Sequence, residues 1–258
     1  MKVHYMNGAG NDFMVLDARG RNLNFPQLAN ELCKLTDADG FMALDHSDTA
    51  DFRLHFYNSD GSRGEMCGNG ARCICRYAYE LGLVGEKMVI QTDAGLVPGT
   101  RISQDIYRVQ LNVPSILDLH RTSDAAYVEL GNPGVPHSVT EIPGLCWEQR
   151  EQLRSFAKEM RFHSAFPKGA NANFYTWLSD DSIRILTYER GVEDYTLACG
   201  TGSGATAAAL WAAGKVPSGV LLVKNPGGDL KITVEGHGEA ITALFLEGPT
   251  EIVNVYEI

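Results

Sequence analysis

The chain has 258 residues, of which 22 are Lys or Arg and 32 are Asp or Glu, so its formal net charge is −10. Its hydrophobic fraction of 44% and charged fraction of 21% are typical of globular proteins, and its length suits one large domain or two domains of about 125 residues. Nucleic acids and membrane surfaces select a basic face, so this acidic balance excludes both as partners.

The first residues lack the apolar core of a signal peptide, and no stretch approaches the roughly 20 apolar residues of a membrane helix. We therefore expect a cytoplasmic protein whose cysteines are thiols rather than disulfides. Only Cys73 and Cys75 lie close together in sequence. Because a single pair does not complete a tetrahedral zinc site, we expect no metal.

The first half is predicted to consist of strands around one long helix. Residues 26–35 have a helical pattern without a counterpart in the second half. Residues 53–61 alternate and are rich in aromatic side chains, which predicts a strand. A Cys-Gly-x-Gly turn at Cys67 then opens a helix, and more strands follow from residue 88.

The second half repeats this order. Residues 147–160 have a helical pattern that we expect to bridge the two halves. A predicted strand over 184–191 precedes a second Cys-Gly-x-Gly turn at Cys199, and more strands follow from residue 221. The helix after Cys199 is apolar on nearly every side, which predicts that it is buried.

The two cysteine turns are copies of one another. Residues 66–84 and 198–216 match at one constant offset, at which the cysteines, both turn glycines and a Gly-x-Val that ends each segment coincide. One helix per half is buried only if a sheet wraps around it. We predict an α+β fold of two pseudo-symmetric halves, 1–118 and 119–258, each a mixed or antiparallel sheet around a central helix. In this fold the C-terminal strand can return to the sheet of the N-terminal half.

Each turn places its cysteine at a helix N-terminus, where free N–H groups and the helix dipole stabilise an anion. We expect them to stabilise a thiolate and to bind a carboxylate. A lone cysteine at a helix start is more often a buried apolar residue, but the matched pair favours function for Cys67 and Cys199. Two such ends facing one cleft suit a racemase or epimerase, in which a base removes a proton and an acid returns one to the opposite face.

Six motifs, taken with their spacing, closely resemble the diaminopimelate epimerase family: NSDGSRGEMCGNGARC, YERGVEDYTLACGTGSGA, GAGNDF, GVPHSV, GANANF and NPGGDL. The resemblance runs from residue 4 to near the C-terminus. It implies interconversion of LL- and meso-2,6-diaminopimelate, an amino acid that feeds lysine and peptidoglycan precursors, without PLP or any other cofactor. It also implies a homodimer, with Tyr256 at the place of a tyrosine tied to dimer contacts.

The resemblance assigns roles to individual residues. Cys67 and Cys199 match the acid/base pair, one thiolate and one thiol, while His137 and Glu189 match residues that assist at the reacting centre. Arg190 matches a residue that grips the distal carboxylate. The full set that matches substrate-binding positions is Asn11, Asn58, Gly68, Asn69, Asn171, Glu189, Arg190, Gly200 and Thr201.

Two positions depart from the pattern of many relatives. Gly40 stands where they have a substrate-contacting Gln, and Val135 stands where they have an Asn before Pro-His. Both changes remove an amide, and we assign neither Val135 nor the nearby Asn132 to the site. We expect these departures to affect specificity rather than the proton-transfer chemistry.

Other functions remain open. The first alternative is a PLP-independent racemase of another amino acid in the same fold. A thiol hydrolase or transferase would use one cysteine with His137 or His55, and a covalent acyl intermediate would reveal it. A non-catalytic carboxylate-binding protein would use the helix ends alone and would tolerate replacement of either cysteine.

Overall fold

The computed structural model describes residues 1–64, 66–237 and 240–258. The chain divides into two compact units. We call them the N-terminal unit, Met1–Gln110 with Glu247–Ile258, and the C-terminal unit, Leu111–Leu246. In the part of the chain that is described, no helix has the length and apolar character needed to cross a bilayer.

The chain opens with strands and two helices, in the following order: β1 (Lys2–Gly8), β2 (Asn11–Asp17), α1 (Phe25–Thr36), β3 (Gly40–Asp45), β4 (Phe52–Asn58), β5 (Arg63–Gly64), α2 (Gly68–Glu80), β6 (Lys87–Thr92), β7 (Gly95–Arg101) and β8 (Ile106–Leu111). The remaining elements are β9 (Pro114–Asp118), β10 (Ala126–Leu130), β11 (Val135–Glu141), α3 (Arg150–Arg161), β12 (Asn171–Ser179), β13 (Ser182–Glu189), β14 (Asp194–Thr196), α4 (Gly200–Ala212), β15 (Val220–Asn225), β16 (Gly228–His237), β17 (Ala240–Pro249) and β18 (Glu251–Glu257). A short 3-10 turn over Trp147–Gln149 precedes α3.

The N-terminal unit is a mixed sheet with the strand order β18-β1-β2-β3-β4-β6-β7-β8. The pairs β2/β3 and β4/β6 are parallel, and the others are antiparallel. Parallel neighbours require a crossover connection, and α1 and α2 are the two crossovers. The short strand β5 adds to β4 just before the Cys67 turn.

The C-terminal unit repeats this arrangement with the order β9-β10-β11-β12-β13-β15-β16. Its parallel pairs are β11/β12 and β13/β15, and their crossovers are α3 and α4. The predicted α+β class with two pseudo-symmetric halves is therefore confirmed.

The second helix of each unit is central. In α2, every residue from Gly68 to Ala78 except Arg76 is buried, and the helix contacts β1, β2, β3 and β7. In α4, Gly200 and Gly202 through Leu210 are buried, and the helix contacts β9, β10, β11, β12 and β16. Small side chains permit this close packing, since a Cβ at Gly204 would lie 2.6 Å from Cδ1 of Leu111.

The two outer helices correct two sequence expectations. The segment 147–160 does not bridge the halves, and 26–35 has a counterpart. Helix α3 lies within the C-terminal unit, where it joins β11 to β12 just as α1 joins β2 to β3. Helix α1 buries Leu32 and Cys33, and α3 buries Ala157 and Met160, each against its own sheet. The two segments share an amphipathic pattern rather than a motif, which is why the repeat was missed.

Candidate active site

The Cys67 turn connects β5 to the central helix of the N-terminal unit. Cys67 is the N-cap of α2, with extended backbone angles (φ −121°, ψ 124°), and its carbonyl accepts the first helical bond from Ala71 N at 2.7 Å. Its side chain is partly exposed, whereas Gly68 and Asn69 are buried. Cys67 thus opens α2 at a partly exposed position of the unit.

A chain of side-chain hydrogen bonds leads away from this turn. Asn69 donates through Nδ2 to Asn11 Oδ1 at 2.5 Å, and Asn11 donates through Nδ2 to Asp39 Oδ2 at 3.1 Å. Asp39 Oδ2 also accepts from the backbone N–H of Asp12 at 2.9 Å. The two predicted residues Asn69 and Asn11 are therefore adjacent. Asp39 was missed by the sequence reasoning, although its neighbour Gly40 had been identified.

Asn58 lies at the end of β4, opposite Gly40 in the β3/β4 register. Its Nδ2 donates to Ser62 Oγ at 2.9 Å, within the turn that leads towards Cys67. At Gly40, a Cβ would lie 2.8 Å from Cε2 of Phe56 and 2.9 Å from the carbonyl oxygen of Tyr57. The Phe56 ring therefore occupies the space that a side chain at position 40 would need.

Cys199 holds the equivalent position in the C-terminal unit. It is the N-cap of α4, and its Sγ accepts a hydrogen bond from Gly202 N at 3.3 Å and lies 3.5 Å from Thr201 Oγ1. Burial raises the pKa of the Cys199 thiol well above its usual range, and the Glu189 carboxylate raises it further, while the contacts with Thr201 and Gly202 lower it.

The helix N-terminus does not by itself give Cys199 a lowered pKa. The helix N-terminus supplies the predicted hydrogen bond, but loss of hydration and the negative charge of Glu189 outweigh it. The thiol stays protonated at neutral pH. Glu189 ends β13, and its Oε1 accepts a hydrogen bond from Thr196 Oγ1 at 2.7 Å.

His137 is fully buried on β11, in register with Asn171 of β12. Burial lowers the pKa of His137 to about 3, and the positive charge of Arg190 adds to this effect, so the ring is neutral at pH 7. Its Nδ1 lies 3.3 Å from Nδ2 of Asn173. A neutral imidazole in this position can accept or relay a proton but carries no charge of its own.

Asn171 and Arg190 are adjacent. The Asn171 Nδ2 donates to the carbonyl of Pro136 at 3.0 Å, and its Oδ1 accepts from the Arg190 backbone N–H at 2.8 Å. Both ends of this amide are thus engaged with the protein. The Arg190 side chain is exposed and donates through Nη1 to the Lys168 carbonyl at 3.4 Å.

Asn173 is a further residue that the sequence reasoning missed. It is fully buried, and its Nδ2 donates to the carbonyls of Ser138 and Asn171 at 2.9 and 3.0 Å. Its Oδ1 accepts from Thr187 Oγ1 at 3.0 Å and occupies the space that a Cβ at position 202 would need. It therefore supports the Cys199 turn from beneath. The signal was present in the GANANF motif, which contains both Asn171 and Asn173.

The sequence-predicted residues thus fall into two groups, one in each unit. The N-terminal group contains Cys67, Gly68, Asn69, Asn11 and Asn58. The C-terminal group contains Cys199, Gly200, Thr201, Glu189, Arg190, Asn171 and His137. Within the described ranges there is no cluster of three or more His, Cys, Asp or Glu side chains that could hold a metal ion.

Comparisons with known proteins point to one family. A family model described as diaminopimelate epimerase matches residues 3–111 and 130–253. The chain is 35% identical to the diaminopimelate epimerase of Flavobacterium psychrophilum over 98% of both chains. It is 34% identical to that of Aquifex aeolicus, over 100% of this chain and 96% of the relative.

Solved structures share the fold at lower identity. The crystal structure of a probable proline racemase from Agrobacterium radiobacter K84, with bound carbonate, matches 100% of this chain and 92% of that one. The TM-score is 0.72 at 17% sequence identity, which shows a common fold and no more.

Proposed function

Since the chain belongs to the diaminopimelate epimerase family, we propose that it interconverts LL- and meso-2,6-diaminopimelate by two-base proton transfer without PLP. The observation that carries the proposal is the repeated helix-start cysteine, with one thiol as N-cap of each central helix. A reaction that adds and removes a proton on opposite faces of one carbon requires two such groups.

The raised pKa of Cys199 supports a division of labour. We assign Cys67, at the partly exposed N-terminus of α2, as the thiolate that removes the α-proton. We assign Cys199, which stays protonated, as the acid that delivers a proton to the opposite face. After one turnover the proton from the substrate lies on Cys67, and Cys199 is the thiolate, so the enzyme is ready for the reverse reaction.

The two helix ends supply the groups that stabilise the intermediate. As the α-proton leaves, negative charge develops on the substrate carboxylate. Backbone N–H groups at Gly68, Asn69, Gly200 and Thr201 occupy the first turns of α2 and α4, where donors and the helix dipole favour an anion. In this proposal the carboxylate at the reacting centre binds these ends.

Specificity is assigned to the remaining residues. Arg190 presents an exposed guanidinium, which suits bidentate binding of the distal carboxylate. Asn171 fixes the backbone of Arg190. Asn11 accepts a hydrogen bond from Asn69 of the Cys67 turn, and Asn58 donates to Ser62 in the segment that precedes this turn. His137 and Glu189 assist by orienting the thiols and the substrate amino group, with Glu189 acting on Cys199 directly.

We also propose a cytoplasmic homodimer. All six cysteines are thiols, and a mechanism that uses two thiols needs a reducing compartment. On β18, Val253 and Val255 are exposed apolar side chains next to Tyr256, and a second copy of the chain would cover them. Replacement of Val255 by Asp is expected to yield monomers in sedimentation experiments, and unchanged dimers would remove β18 from the interface.

The direct test is incubation of LL-diaminopimelate with the enzyme in D2O. Deuterium at one α-carbon, together with formation of the meso isomer, is expected. Variants Cys67→Ser and Cys199→Ser are expected to lose at least about a thousandfold in kcat. Cys146→Ser is the matched control, because Cys146 lies at the 3-10 turn before α3 rather than at a central helix.

Two outcomes would contradict the proposal. Exchange into another amino acid but not into diaminopimelate would make the enzyme a racemase of that amino acid. A trapped acyl intermediate on one cysteine would indicate a hydrolase or transferase.

A further inference from the structure

Arg72 is the largest side chain that is fully buried in the described part of the chain. It lies one turn into α2, and its exposed fraction is 0%. A buried guanidinium is costly unless hydrogen bonds or an opposite charge compensate for lost hydration. Neither the fold nor the proposed substrate contacts explain why a permanent cation lies inside a central helix.

Its hydrogen bonds go to the Cys67 turn. Nη1 donates to Asn69 Oδ1 at 3.0 Å and to the carbonyl of Gly68 at 3.3 Å. Within the described residues, Nε and Nη2 are buried without a hydrogen-bond partner. The guanidinium therefore interacts with the two residues that directly follow Cys67. Only one of its three nitrogens takes part in these hydrogen bonds, and its full positive charge lies beneath the turn.

Through Asn69, Arg72 orients a longer chain of side chains. The guanidinium can only donate, so it fixes the Asn69 oxygen towards itself and the Asn69 nitrogen towards Asn11. The Asn11 nitrogen then points to the carboxylate of Asp39. The order from cation to anion sets the orientation of both amides. With Arg72 removed, the Asn69 oxygen loses its charged donor.

Among the thiols near Arg72, Cys67 is the one whose thiolate form the guanidinium can stabilise. The thiols in electrostatic contact with the guanidinium are Cys73, Cys67 and Cys75. Burial raises the pKa of Cys73 to about 12 and raises that of Cys75 further, so both stay protonated. Asp12 from β2 and Arg76 from α2 act on this cluster through Cys73, and Asp39 is bound by Asn11.

We propose that Arg72 is a positioning residue: it fixes the Gly68 carbonyl and the Asn69 amide and supplies, beneath the turn, the positive charge that favours the Cys67 thiolate. The catalytic part of this inference rests on the proposed function, but the effect on the thiol does not require any substrate. This role explains why the core contains a buried cation at this position, since charged side chains are almost never fully buried without a partner.

The test compares Arg72→Met, Arg72→Lys and the control Arg76→Met, which removes a cation from the same helix. Arg76 donates to the carbonyl of Thr250, away from the turn. The rate of iodoacetamide reaction at Cys67 is followed against pH by peptide mass spectrometry, with Cys146 as internal standard. This readout needs no substrate, so its failure is distinct from failure of the epimerase proposal.

Arg72→Met is expected to raise the pH midpoint of Cys67 alkylation by about one unit, because the thiolate loses its cation. Arg72→Lys keeps the charge and is expected to restore the midpoint, whereas its single ammonium restores less of kcat/KM. In the epimerase assay, Arg72→Met is expected to lower kcat/KM by roughly tenfold or more. Arg76→Met is expected to shift the midpoint by much less, because Arg76 donates to the Thr250 carbonyl, away from the turn.

A purely structural role gives a different result. Arg72→Met could lower the melting temperature yet leave the pH midpoint of Cys67 alkylation unchanged and kcat/KM within about twofold of the parent value. That result overturns the proposal. If Arg72→Met does not fold, Arg72→Lys decides: a Cys67 midpoint that moves upward by about one unit despite the retained charge also overturns it.

Discussion

The side chain of Asn171 accepts a hydrogen bond from the backbone N–H of Arg190 at 2.8 Å and thereby ties β12 to the chain that follows β13. Its other end donates to the carbonyl of Pro136. The resemblance assigns Asn171 to substrate binding, but in this structure the amide holds the segment that carries the guanidinium. Its effect on the substrate is therefore expected to act through Arg190.

A double-mutant cycle tests this relationship. Asn171→Ala is expected to lower kcat/KM by roughly ten- to a hundredfold, mainly through KM, because Arg190 loses its fixed position. In the Arg190→Ala background the same change is expected to cost much less, giving a coupling of about 1–2 kcal/mol. Additive losses would show that Asn171 contacts the substrate independently.

The neutral, buried His137 predicts loss of stability in acid. Its pKa is about 3 in the folded protein, against 6.5 for an exposed histidine. Between these values the unfolded chain binds one more proton than the folded chain, so the free energy of unfolding falls as the pH falls from 6.5. Between pH 7 and pH 5 this contribution is about 2 kcal/mol.

Urea unfolding of the parent and of His137→Gln measures this contribution. The parent also carries His4 and His55, whose pKa values are lowered by burial, so the difference in slope between the two proteins is the relevant quantity. His137→Gln is expected to show a shallower loss of stability from pH 7 to pH 5. Parallel curves would mean that His137 is protonated in the folded protein.

The Glu189 carboxylate raises the pKa of Cys199, after burial the second cause of the shift. Removal of its charge in Glu189→Gln is expected to lower the pKa of Cys199, because burial then acts alone against the hydrogen bonds from Thr201 and Gly202. Thiolate absorbance titrated against pH, with Cys199→Ser subtracted, measures the change. A higher or unchanged midpoint would contradict the assigned sign.

The space around Gly40 predicts that this position does not tolerate a side chain. Gly40→Ala places a Cβ against Phe56 and the Tyr57 carbonyl and is expected to reduce the free energy of unfolding by about 1–3 kcal/mol. Phe56→Leu in the same chain is expected to restore only part, because the backbone contact remains. Gly85→Ala is the control, since a Cβ there meets nothing within 4 Å.

The Gly40 substitution also bears on specificity. Gly40→Gln is expected to destabilise the protein without improving kcat/KM for diaminopimelate, since the Phe56 ring fills the space a glutamine would need. An improved kcat/KM at unchanged stability would show that the position still serves as a substrate contact.

Much of the fold follows from the sequence because its repeat is local. The Cys-Gly-x-Gly turns and their apolar helices predicted the two central helices, and the structure places α2 and α4 there. The correspondence of α1 and α3 could not be predicted, because amphipathic surface helices preserve a pattern of burial rather than particular residues. Their equivalence becomes visible only in the strand order.

The sequence was less informative about how the candidate site residues are supported. Asp39 binds Asn11, 28 residues away in sequence, and Asn173 binds Thr187, 14 residues away. Arg72 lies within the Cys67 motif itself, but its complete burial depends on how the sheet packs around α2. The raised pKa of Cys199 was also inaccessible, because it depends on burial and on Glu189 rather than on the helix start alone. The hydrogen bond at the helix start lowers the pKa of Cys199, but loss of hydration is the larger effect and raises it overall.

The proposed two-base mechanism requires Cys67 and Cys199 to address the same carbon atom from opposite faces. Mild oxidation of the protein, followed by peptide mapping, tests it most directly. The account predicts a disulfide between Cys67 and Cys199, loss of epimerase activity in proportion to its formation, and recovery of activity on reduction. A disulfide that joins either cysteine to Cys146, or full oxidation of both without a mutual bond, would contradict it.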